Sequence, residues 1–179
     1  MPVHMQSQVR RIMFDQVRLV RLARAILADI GESSAELGIV LVGDQRMRGL
    51  NRRYRGKDRT TDVLAFSMRE SGISHAAPFT MDMLGDVVIS VPRARRQAIE
   101  AGRSLDKELA WLLVHGILHL CGYDHERNEK EARRMRRRER KIMRSMACMS
   151  KRVNRTRYGS IGLPYRSTSK DVTHAMRRG

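Results

Sequence analysis

Residues 109–120, LAWLLVHGILHL, constrain the fold more than any other stretch of this chain. Wound as a helix they are apolar on almost every side, and a helix without a polar face is stable only when other elements surround it. The chain must therefore build layers around this segment. Ser104 is placed to cap such a helix, and Asp106 and Glu108 fall in its first turn, where the positive end of the helix dipole favours carboxylates. Two histidines, His115 and His119, interrupt the apolar surface and need a reason to be there.

Residues four apart on a helix differ by about 40° in direction and about 6 Å in height, so His115 and His119 project from one face with room for a shared ion. Gly122 allows the chain to turn after the helix, and His125 is then close enough in sequence to return a third imidazole. Burying two histidines without a ligand leaves polar nitrogens unsatisfied at roughly 1–3 kcal/mol each, which argues for a metal site over a pair of inert core histidines. Three neutral imidazoles leave one position of a tetrahedral Zn²⁺ open, the arrangement of a catalytic site. One zinc per chain is the expectation, although nickel, cobalt or copper suit the same donors. Cys121 reads as a small buried hydrophobe and Asp124 as a turn or supporting residue, with a role as fourth ligand the alternative. In H-E-x-x-H zinc peptidases a glutamate general base follows the first histidine, whereas here that position is Gly116. Peptide hydrolysis by that route loses its base.

The rest of the chain supplies the surrounding layers. Met13, Val17, Val20, Leu27 and Ile30 recur at helical spacing up to Gly31, so residues 13–30 are expected to be helical. ELGIVLVG, 36–43, reads as a buried strand; Asp44 caps the next helix, with Met47, Leu50 and Tyr54 on its inner face. RGKDRTTD, 55–62, is a polar loop that leads into the strand 63–66, VLAF. A second loop, 69–82, connects it to the strand 84–91, and the close spacing favours an antiparallel pair. Pro92 opens a helix that Gly102 ends. After the histidines, Ala132, Met135, Ile142 and Met146 mark a basic amphipathic helix over 128–146. The predicted fold is α/β (α+β): one domain, residues 1–149, with a small mixed sheet of about four strands and about five helices. One of these helices is buried and carries the metal ligands. Residues 150–179 lose all periodicity and read as a basic, disordered tail.

Charge narrows the partners. The net charge is +17, and residues 126–179 hold 18 Lys/Arg against 5 Asp/Glu, so the C-terminal part carries most of it. A polyanion is the natural partner for that distribution, with nucleic acid or an anionic membrane surface leading the list; a merely solvated basic face is the alternative. No apolar run reaches the roughly 18 residues of a membrane span, no secretory h-region opens the chain, and two cysteines fit a reducing compartment, so a cytoplasmic location without membrane association is expected. Aromatic residues are only 4%, which favours gripping a nucleic-acid backbone over stacking on bases.

The motifs also resemble a known family. HGILHLCGYDH, 115–125, is similar to the H-G-x-L-H-L-x-G-Y-D-H signature of the YbeY family; NRRYRGKDRTTDVLAF, 51–66, resembles its N-x-x-Y-R-x-K-D-x-x-T-D/N-V-L-S-F segment; and LGDVVIS resembles its L-G-D-I-x-I-S strand. Glu131, Ala132, Met135, Glu139 and Ile142 continue the pattern, so the resemblance spans roughly 35–146. It implies a zinc-dependent endoribonuclease that cuts single-stranded RNA in rRNA maturation, at the 16S 3′ end, and in ribosome quality control, with the small ribosomal subunit as partner. It puts the metal on His115, His119 and His125 and singles out Arg55 as the family's cleft arginine; on chemical grounds zinc-bound water is expected to attack the phosphodiester, and Arg55 to position the phosphate or neutralise its transition state. An ion pair of Arg55 with Asp58 is the alternative for that residue. Asp58, Thr61 and Asp62 would shape the loop, and Asp86 would support the site from its strand. Lys57, Arg59, Arg133 and Arg137 join Arg55 as candidate RNA contacts. Ala65 departs from the family's usual serine, and the arginine-rich helix departs from one that is often acidic. Two other readings stay open: an RNA-binding ribosome assembly factor with a structural metal, and a metallohydrolase or peptidase.

Overall fold

A computed structural model describes residues 2–9, 12–69 and 82–158. Among these residues four strands and five helices follow one another: β1 Val3–Ser7, α1 Gln16–Ile30, β2 Glu36–Val42, α2 Asp44–Arg55, β3 Val63–Ser67, β4 Met83–Ser90, α3 Val91–Glu100, α4 Leu105–Leu120 and α5 Glu129–Tyr158. The sheet order is β1-β2-β4-β3; β1, β2 and β4 run parallel, and β3 pairs antiparallel with β4, the pairing favoured by their spacing along the chain. β3 is therefore an edge strand.

Alternation along the strands divides the core between two faces. Leu37, Ile39 and Leu41 of β2 and Val87 and Ile89 of β4 pack with α1, α4 and α5. Val42, Leu64 and Val88 point the other way and pack with Met47 of α2. α4 lies in the middle of the larger cluster, with Leu109, Leu113, Val114, Ile117 and Leu118 at most 1% exposed. Its caps are those expected: the Ser104 hydroxyl accepts from the Lys107 N–H, and Asp106 and Glu108 occupy the first turn.

Several local expectations are corrected. α1 begins at Gln16, capped by Asp15, whose carboxylate accepts from the Arg18 N–H. Met13 and Val17 are 95% and 61% exposed, because the buried stripe is Leu19, Ala23, Ile26 and Leu27, one helical face in a different phase. The cap of α2 is Gly43; Asp44 lies in the first turn and accepts from Ser90 Oγ at 2.6 Å and Arg96 at 2.7 Å, tying α2 to the start of α3. Tyr54 is 57% exposed and meets Phe66 edge-on. β1 carries too little apolar alternation to be seen in isolation; it forms by pairing with β2. α5 runs to Tyr158, past the boundary at 149 suggested by the loss of periodicity, since backbone hydrogen bonds continue a helix without an apolar stripe. Residues 70–81 of the second loop and 159–179 of the tail lie outside the described residues. Among the described residues, no helix is long and apolar enough to cross a membrane.

Candidate metal centre

α4 ends at Leu120, and the chain turns back through Gly122, whose φ of +81° is open to glycine without strain. The Gly122 N–H donates to the His119 carbonyl and the Tyr123 N–H to that of Leu118, which closes the helix end. The Asp124 carboxylate accepts from the Glu126 N–H at 2.8 Å and shapes the turn that presents His125. The result is a convergent triad. Ring centroids of His115, His119 and His125 are 4.7, 5.1 and 5.0 Å apart, and one nitrogen from each ring lies within 4.8 Å of the others. Among the described residues this donor set comprises the three histidines; Asp124 is not part of it.

Electrostatics suit a cation. Burial, reinforced by the neighbouring His115 and His125, pushes His119 down to about 4, so its imidazole is neutral at physiological pH and its lone pair is available. His115 Nδ1 lies 2.7 Å from Glu139 Oε1, and Glu139, on α5, is 4% exposed. With Nδ1–H donated to that carboxylate, His115 turns Nε2 toward the centre of the triad, 3.1 Å from His119 Nε2, where an ion would take both lone pairs. That carboxylate–histidine pairing is the usual second layer of a zinc site, so the residues fit the metal.

Gly116 packs against the sheet. A Cβ added there would stand 2.6 Å from Val87 Cγ1 and 3.3 Å from Val63 Cγ2, so the fold has no space for a side chain at the position where zinc peptidases carry their base.

The triad opens into a cleft of about 610 Å³ between α4, the turn after it, the end of α2 and edge strand β3. Arg55, the last residue of α2, lines this cleft, and its Nη2 lies 3.1 Å from Glu126 Oε2. The alternative for Arg55, an ion pair with Asp58, is not formed: Asp58 accepts two 2.8 Å bonds from Arg48. The loop after α2 is pinned in other ways too. Gly56 takes φ +66°, Asn51 Nδ2 donates to the Arg59 carbonyl at 2.7 Å, and Thr60 Oγ1 donates to the Asp44 carbonyl. Asp62 accepts from the Val63 N–H, Gln97 and Thr61; burial disfavours its charge, yet these bonds outweigh it and hold the carboxyl below the usual range. Asp58, Thr61 and Asp62 thus shape the loop, as expected.

Other sequence candidates are not brought to the triad. Asp86 points to the α2 face, against Gly38, because β4 alternates and Val87 is the residue facing α4. Lys57 and Arg59 are exposed on the loop, outside the cleft lining. Arg133 and Arg137 are exposed on α5, on the side opposite Glu139. Cys121 is half-buried, and burial pushes its thiol up to about 11, consistent with an inert packing role. The residues that motif reading underrated are Glu126 and Glu139. Glu139 left one signal: a carboxylate inserted in the apolar stripe of Met135 and Ile142.

Comparison with known proteins gives concordant matches. A family model described as "Endoribonuclease YbeY" matches residues 4–147. Proteins named "Endoribonuclease YbeY" are similar to this chain: that of Geobacter sulfurreducens is 44% identical over 143 residues, covering 79% of this chain and 93% of its own. That of Anaeromyxobacter sp. (strain Fw109-5) is 46% identical over 145 residues, covering 81% of this chain and 72% of its own. The solution structure of TM1509 from Thermotoga maritima aligns with a TM-score of 0.54 at 23% identity, covering 92% of this chain and 99% of that one, a likeness of fold.

Proposed function

The chain belongs to the endoribonuclease YbeY family, and from that premise we propose that it is a metal-dependent endoribonuclease that hydrolyses phosphodiester bonds of single-stranded RNA during rRNA maturation. Its setting is the cytoplasm and its partner the small ribosomal subunit, with the 3′ end of 16S rRNA as the substrate region. The observation that carries this reading is the convergence of three imidazoles and an arginine on one cleft.

His115, His119 and His125 would hold the cation, and their all-nitrogen set favours zinc. When bound, the ion supplies Lewis acidity that polarises a phosphoryl oxygen and acidifies water. The chain's own residues supply the remainder. Glu139 holds His115 in the tautomer with Nε2 free. Arg55 presents a guanidinium that exchanges Glu126 for a phosphate oxygen, and it then stabilises the charge that builds up on phosphorus substituents. With Gly116 packed on Val87, no side chain next to His115 takes the proton, and no general base is assigned. Lys57 and Arg59, exposed on the loop that follows Arg55, would add positive charge to the approach of the strand.

Cleavage of a single-stranded RNA should be lost with chelator and in His119→Ala, and kcat should fall about 10²–10³-fold in Arg55→Ala with bound zinc retained. Equal cleavage by wild type and His119→Ala would remove the enzyme reading. One contact favours a second reading, an RNA-binding assembly factor with a structural metal: His115–Glu139 ties α4 to α5, so an ion there also braces the fold. In that case wild type shows no metal-dependent turnover, and His119→Ala lowers the melting temperature steeply.

A further inference from the structure

α5 turns one face inward and one outward. Ala132, Met135, Glu139 and Ile142 are buried; Lys130, Arg133, Arg137, Arg140, Lys141 and Arg144 are exposed and lie within a narrow arc on the opposite side of the helix. These six cations extend over about 21 Å at 1.5 Å per residue. Counter-charge is sparse. Glu129 pairs with Arg133 and Arg136 through exposed contacts, Glu131 pairs with Arg134, and Glu139 faces His115. Among the described residues Arg137, Lys141 and Arg144 have no acidic partner. Like charges three and four residues apart destabilise a helix, so this arrangement opposes folding and gains nothing from packing. A polyanion reverses that sign.

The direction of the stripe separates it from the cleft. Glu139 points at His115, and the stripe points about 180° away around the helix, so one unpaired strand in the cleft does not contact it locally. Its composition identifies the target. Residues 124–157 contain no Phe, Tyr or Trp, which removes stacking on unpaired bases and leaves contact with phosphates. A row of cations fixed along one face of a helix matches the regular phosphate line of a duplex better than a flexible single strand.

We propose that the outer face of α5 is a second RNA-docking surface that binds the sugar–phosphate backbone of a duplex flanking the strand in the cleft. This rests on the RNA-substrate reading above, and the test keeps the two apart. Binding of an RNA hairpin without a cleavable single-stranded tail is measured for metal-loaded full-length protein, for the triple variant Arg137→Ser, Lys141→Ser, Arg144→Ser, and for a charge-matched control, Arg18→Ser, Arg21→Ser, Arg24→Ser, at exposed positions of α1. Cleavage of a short single-stranded oligonucleotide and of the same sequence joined to the hairpin follows.

The α5 variant should bind the hairpin at least 10-fold more weakly, with the slope of log Kd against log salt reduced by about 2–3, as expected for three lost phosphate contacts. On the hairpin-joined substrate its KM should rise while kcat stays, and the short oligonucleotide should be cut as by wild type. Unchanged hairpin binding overturns the proposal, as does an equal loss in the α1 control, which would reflect net charge alone. An α5 variant that loses binding to phosphatidylglycerol vesicles or an acidic peptide while keeping hairpin binding also overturns it. If wild type cuts no RNA, the enzyme reading fails, while hairpin binding still decides the docking surface.

Discussion

His115 Nδ1 and Glu139 Oε1 stand 2.7 Å apart across the α4–α5 interface, so a buried carboxylate fixes the orientation of a metal ligand from a different helix. Removing a carboxylate in this position typically weakens metal binding 10–100-fold. Glu139→Ala should show that loss in a chelator competition with zinc, and Glu139→Gln a smaller one, because its amide oxygen still accepts the Nδ1–H. Equal zinc affinity in all three proteins would mean that His115 is oriented by packing alone.

Arg55 is held by Glu126 in a half-exposed ion pair, 45% and 57% exposed at the side chains. Such a pair is worth at most about 1 kcal/mol in water, so a phosphate can displace it. Glu126→Gln should therefore lower KM for single-stranded RNA about two- to fivefold, with kcat nearly unchanged. A rise in KM would show instead that Glu126 holds Arg55 in its working position.

At Gly116 a methyl group would press on the stiff, β-branched Val87. Overpacking of this kind costs about 1–3 kcal/mol, and the better helix propensity of alanine returns about 1. Gly116→Ala should lower Tm by a few degrees, and Gly116→Glu should fail to give folded protein. A Gly116→Ala variant more stable than wild type would show that β4 yields easily there.

Glu108 is 3% exposed, and burial raises its carboxyl above the ordinary value; the Arg103 charge, whose Nε approaches Oε2 at 2.7 Å too obliquely for a hydrogen bond, only partly offsets this. A raised carboxyl favours the protonated form on folding, so its contribution is present at low pH and lost as pH rises through the folded value. Glu108→Gln should melt higher than wild type at pH 7, and the difference should shrink towards pH 4. A variant that melts lower at pH 7 would make the Arg103 pair a net stabiliser.

Much of this protein is legible along the chain because its signals are local. Spacing of four residues on a helix brings His115 and His119 together wherever that helix lies, and Gly122 permits the turn that returns His125. The apolar perimeter of residues 109–120 made their burial unavoidable, and the spacing of β3 and β4 along the chain favoured the antiparallel pairing they adopt. Contacts between elements distant in sequence were decided only on folding. Which stripe of α1 is buried depended on the surface it met, leaving Met13 and Val17 in solvent. β1 exists because β2 offers it an edge. Asp86, expected to support the site from its strand, lies on the other side of the sheet, since alternation along β4 gives Val87 to the face that meets α4. Arg55 chose Glu126, 71 residues away, over Asp58, which Arg48 had already taken. Gly116 shows the division most plainly: its place in the motif was visible in one dimension, and the reason for it, Val87 pressed against the helix, exists only in three.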